Sequence, residues 1–201
     1  MKKIVALLGA LSLIVLTGCG QIDSAATIGK ITISQASAQA TVDEVLADRA
    51  KVDTTGMQIQ TGAALNRSQL RFTIITTIFD EIAKELKITI SSTEIAKAKS
   101  DLITQSGGEA ALAKNLVSAE IATSSFDRYI RAIVISNKLQ AALSASGVAD
   151  TDISARITQL ISAKAAQLKV TVNPRYGTWD QANGEIVATD SAGSAVVPSN
   201  K

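Results

Sequence analysis

The residue types that most often do chemistry are nearly absent from this chain. Its 201 residues contain no histidine and a single cysteine, Cys19. Without imidazole there is no Ser-His-Asp triad, no Cys-His pair and no histidine-ligated metal. No G-x-x-x-x-G-K-[ST] sequence is present to cradle phosphates. Gly107-Gly108 reads as a turn between helices, not as a ligand loop. Asp80 and Glu81 adjoin Lys84 and Glu85 in a helical stretch. Asp80 and Lys84 stand at i,i+4 spacing, which reads as a solvated, ion-paired face. A glycosidase pair of carboxylates would need a deep aromatic-lined cleft, and 3% aromatic residues supply one poorly. No catalytic residue, no metal and no cofactor is expected.

Cys19 is the exception. Lys2 and Lys3 precede an apolar run over residues 4–16 that is too short for a standard membrane span. Leu16-Thr17-Gly18-Cys19 follows, with small residues before the thiol. This pattern resembles the lipobox of bacterial lipoproteins. The resemblance implies a signal peptide over 1–18, cleavage before Cys19 and a diacylglycerol on its sulfur. Two or more acyl chains hold a protein stably on a bilayer, where one does not. The bland alternative is an ordinary secretory signal with a cysteine near its cut. Lys2 and Lys3 also account for the excess of 20 Lys+Arg over 18 Asp+Glu. Without the signal the net charge is zero, which argues against a nucleic-acid partner.

Further elements give these residues their setting. Residues 19–25 read as a lipidated polar tether, and a single domain is expected over 26–180. Ile28, Ile31 and Ile33 flank Gly29 as two brief strands. Ser34 can cap a helix with a thin stripe of Ala38, Val42, Val45 and Leu46. Residues 53–62 read as a loop. The stretch 66–87 is the main helix: Leu70, Ile74, Ile78, Ile82 and Leu86 recur at i+4, and Phe72, Ile75 and Phe79 widen the stripe. So broad a stripe needs more than one neighbour.

After an extended break over 88–90, Ser91 and Glu94 form a capping box. That helix carries Ile95, Ala98, Leu102 and Ile103 and stops before Gly107-Gly108. A short helix with Leu112 and Leu116 follows. A longer one carries Phe126, Ile130, Ile133, Val134 and Leu139, and its Asp127, Arg128 and Arg131 face solvent. Asp150 is expected to cap a last helix with Ile153, Ile157, Leu160 and Ile161. Residues 168–172 alternate as a strand, and 173–180, NPRYGTWD, are turn-rich. Residues 181–201 are poor in large apolar residues, which predicts disorder. The expected fold class is mainly α, a multi-helix domain with a small β-sheet formed by the N- and C-terminal segments.

The order of lipobox, strand pair ending in ITIS, long helix, ISSTEI, Gly-Gly turn and Phe-bearing helix resembles the N-terminal chaperone domain of SurA-like proteins. PrsA-like foldases and the substrate-binding part of trigger factor are related to it. The ending VTVNPRYGTWD is similar to a group of actinobacterial SurA-N-like lipoproteins. The resemblance implies a helical cradle that binds unfolded or newly exported polypeptides without ATP, outside the cytoplasm and anchored to the membrane. It implies Phe72, Phe79, Phe126, Tyr129, Tyr176 and Trp179 as client contacts. Their plainer reading is core packing, with Tyr176 and Trp179 clamping the chain end. Parvulin isomerase domains accompany many such proteins and use histidines, so no isomerase activity is expected here. The alternative function is an accessory envelope lipoprotein docking one dedicated partner. A homodimer through swapped terminal strands is open.

Overall fold

A computed structural model describes residues 23–189. Strands β1 (Ser24–Ile28) and β2 (Ile31–Ser34) form an antiparallel hairpin. Gly29 turns it with φ +60°, and its N–H donates to Leu168 O at 2.7 Å. A Cβ there would sit 3.2 Å from the Leu168 side chain, so glycine suits both the conformation and the close approach. Helix α1 (Gln35–Arg49) starts where Ser34 Oγ accepts from the Ser37 N–H at 3.0 Å. It buries Ala38, Val42 and Val45, while Leu46 stays exposed, contrary to the expected stripe.

Helix α2 (Gly62–Glu85) is the central element and touches α1, β1 and three later elements. It begins four residues before the expected start. Leu70, Ile74, Ile78 and Ile82 are buried as their i+4 spacing requires. Each contributes on the order of 1.5–3 kcal/mol of burial. Leu86 does not join them: it is the helix C-cap and 53% exposed. Gln69 and Thr76 are buried instead, because neighbours cover α2 on several sides.

Helix α3 (Ser92–Ser106) opens with the predicted capping box and ends at Gly107, φ +87°. It buries no residue fully, packing only through one side onto α4 (Glu109–Ser118) and α5 (Phe126–Ala145). Ile130, Val134, Ile135 and Leu139 form the buried stripe of α5, which includes Ile135 and leaves Ile133 half-buried. Helix α6 (Asp150–Gln167) has Ala149 at its N-cap position with no side-chain cap, so Asp150 does not cap it. Asp150 and Asp152 lie within its first turn, where the helix dipole favours carboxylates.

One of the last described strands ties back to the first. β3 (Thr171–Val172), shorter than the predicted 168–172, pairs antiparallel with β1, giving the order β2-β1-β3. β4 (Thr178–Asp180) and β5 (Glu185–Val187) form a second antiparallel hairpin. Two boundaries therefore move. Ser24 and Ala25, expected in the tether, are buried in β1. Residues 181–187, expected to be disordered, turn and pair, and Ile186 is buried in the main core. Residues 190–201 lie outside the described part.

One buried polar cluster fastens the loop after α1. Arg49 donates to Glu120 Oε1 at 3.1 Å and to Gln60 O at 2.7 Å. The Gln60 N–H donates back to Glu120, and Gln69 Nε2 donates to Glu120 O at 2.7 Å. Glu120 sits at φ +59°, so the turn between α4 and α5 is held in a conformation that few L-residues adopt.

Candidate functional site

The predicted aromatic residues separate into two groups. Phe72, Phe126 and Tyr129 come together, half-buried, on a small cluster of Leu112, Leu116 and Ile121 beneath α3 and α4. Phe79, Tyr176 and Trp179 pack on the main core instead. The Arg175 guanidinium lies 5.9 Å from the Tyr176 ring centre, a cation–π distance. Trp179 lies in β4 opposite Ile186 of β5, and both pack on the main core. Each of the six is partly buried and partly exposed. Cys19 and residues 1–18 lie outside the described residues.

The sequence reading missed an open concave surface beside a strand edge that no described strand pairs with. A trough of about 450 Å3 runs between β2, α2 and α5. Ile31, Thr32 and Ile33 form one wall and Arg128 the other. Its floor is α2, presenting Thr73, Thr76 and Thr77, with Asp80 and Glu81 at one end. The floor hydroxyls are occupied: Thr73, Thr76 and Thr77 donate to Gln69 O, Phe72 O and Thr73 O at 3.1, 2.9 and 2.7 Å. The floor therefore offers methyl groups and acceptor lone pairs.

Charge at the trough end differs from the expected pairing. Asp80 accepts from Arg131 of α5 at 2.6 Å, not from Lys84. Lys84 stands 3.7 Å from Glu81, and its side chain is 78% exposed. The Glu81 side chain is 24% exposed, and a long pair to so exposed a lysine is worth about 0–1 kcal/mol, so Lys84 holds it loosely. Tertiary packing of α5 against α2 supplied Asp80 with a partner that helical spacing cannot reveal.

A second, more apolar cleft of about 370 Å3 lies between α2 and α6, lined by Ile82, Leu86, Leu160 and Ala163. Lys164 and Glu85 form an ion pair across it. Among the described residues no group of histidine, cysteine and carboxylate side chains could hold a metal ion. No described helix is long and apolar enough to cross a membrane.

No protein-family model, no curated protein and no solved structure matches this chain.

Proposed function

We propose that this protein is a membrane-anchored, extracytoplasmic chaperone-like lipoprotein of SurA-N-like type, which binds unfolded or newly exported polypeptides without ATP. The observation that carries this reading is the open trough beside β2, which offers an extended chain Ile31, threonine methyl groups and charged side chains at its margin. The partly exposed Ile31 and Leu86, at 41% and 53%, add apolar contacts at two separate clefts. Weak contacts of this size favour fast release, which suits a holdase. The LTGC sequence ending at Cys19 supports lipid anchoring. Only four residues separate Cys19 from the start of β1, which would keep the domain close to the bilayer.

The test is aggregation of several unrelated unfolded proteins in the presence of the soluble chain beginning at Gly20. Suppression across all of them supports the proposal. Suppression of none, with capture of one envelope protein by crosslinking, would assign the protein to a dedicated partner instead.

A further inference from the structure

We infer that β2 takes up an extended polypeptide segment as an added strand, with a lysine or arginine side chain of that segment directed to Glu81. This rests on the polypeptide-binding reading above and specifies its mode.

Backbone alternation places the open hydrogen-bonding groups. The Asn173 N–H donates to Ala25 O at 2.9 Å, and Thr27 pairs with Thr171. Ala25 and Thr27 thus turn their backbone groups toward β3, and Ala26 and Ile28 turn theirs toward β2. Ala26 and Ile28 face Ile33 and Ile31 in register. Between those two, Thr32 directs its N–H and C=O away from β1. No strand among the described residues pairs with that edge.

Side chains agree with this placement. Ile31 and Ile33 share the face of buried Ala26 and Ile28, and Ile31 overhangs the trough at 41% exposure. A strand laid beside β2 at about 4.8 Å would project alternate side chains into the trough and the others toward solvent. Edge strands that avoid pairing commonly carry a charge or proline; Ile31–Ser34 carries neither. The trough walls and floor hold two carboxylates, Asp80 and Glu81, against one guanidinium, Arg128. Arg131 of α5 already engages Asp80, whereas Glu81 has only the exposed Lys84 at 3.7 Å, a weak partner that a cationic side chain of the segment can replace. Main-chain bonds give affinity in this mode and the pockets under alternate side chains give preference. The fit is to a β-branched, alternating segment with one basic residue.

The probe is a fluorescent peptide of alternating valine and threonine with a central lysine, titrated by anisotropy against the soluble chain beginning at Gly20. Two versions are N-methylated at alternate residues, one along each backbone edge. Loss of one or two backbone hydrogen bonds predicts about tenfold weaker binding for one methylated version and little change for the other. Glu81→Gln should weaken the lysine peptide by about two- to fivefold at low salt and leave a norleucine peptide unchanged. Ile31→Lys, at an exposed position, should weaken all versions without altering the circular dichroism spectrum. Equal binding of both methylated peptides would overturn strand addition. So would absence of peptide binding while aggregation suppression persists, and the chaperone reading would survive both results. Absence of peptide binding and of suppression would overturn both claims. A dimer abolished by Ile31→Lys, with no peptide bound, would give this edge to a second copy of the chain and overturn the peptide occupant.

Discussion

Arg49 and Glu120, 71 residues apart in the chain, form an ion pair at 3.1 Å with both side chains only 8% exposed. Glu120 also takes the Gln60 N–H, so one carboxylate secures the loop after α1. Removing one member leaves the other charge buried without its partner. Arg49→Met or Glu120→Ala should each lower stability by about 3–5 kcal/mol in urea unfolding. The double variant should lose less than the sum, because no isolated charge remains. It should still be less stable than the wild type, because the Gln60 backbone groups lose their partners. Strict additivity of the two losses would show that the ion pair does not couple them.

The start of α3 carries a pH dependence. Lys138 holds the Glu94 carboxyl down to about 2 from an ordinary 4.5, and the Ser91 N–H and hydroxyl assist. A carboxylate with a depressed folded pKa stabilises the fold above its unfolded value and loses that contribution as acid protonates it. Protection of α3 amides from hydrogen exchange should therefore decline as pH falls from about 4.5 toward about 2. Glu94→Gln should flatten the dependence in that window. An identical profile in the variant would place the acid sensitivity elsewhere.

Gly177 tests whether the second hairpin belongs to the folded domain. It sits at φ +128°, and a Cβ there would lie 2.2 Å from Val187 O. Backbone at that distance has to move. Gly177→Ala should cost about 1–3 kcal/mol or more and detach β5 from β4. At about 2–4 °C per kcal/mol for a chain of this size, the midpoint should fall by several degrees. Trp179, the only tryptophan, reports β4 directly through its fluorescence. An unchanged midpoint and emission would contradict the close packing of Gly177 on Val187.

Local signals in the sequence were strong where one principle governs a position. The Ser34 cap, the Ser91–Glu94 box and the Gly107 stop depend on short-range hydrogen bonds and on φ, and all three occur. The i+4 stripe from Leu70 to Ile82 depends on helical period and is buried. The misses involve tertiary context. Leu46 and Leu86 fit the period but lie where no neighbour covers them. The hairpin of β4 and β5 is short and rich in small residues, and it is held by Ile186 in the core and by Asp180 accepting from the Ala182 N–H at 2.9 Å. The trough was illegible because β2, α2 and α5 contribute residues from three distant stretches. Only strand order shows which edge of the hairpin is left open.

The most direct test of the central claim is the light-scattering time course of at least three unrelated unfolded proteins, mixed with the soluble chain beginning at Gly20 in the absence of ATP. Scattering should fall for all of them as the chain approaches equimolar amounts, and Ile31→Lys should weaken the effect. Scattering unchanged for every client, with the protein folded, would contradict that claim.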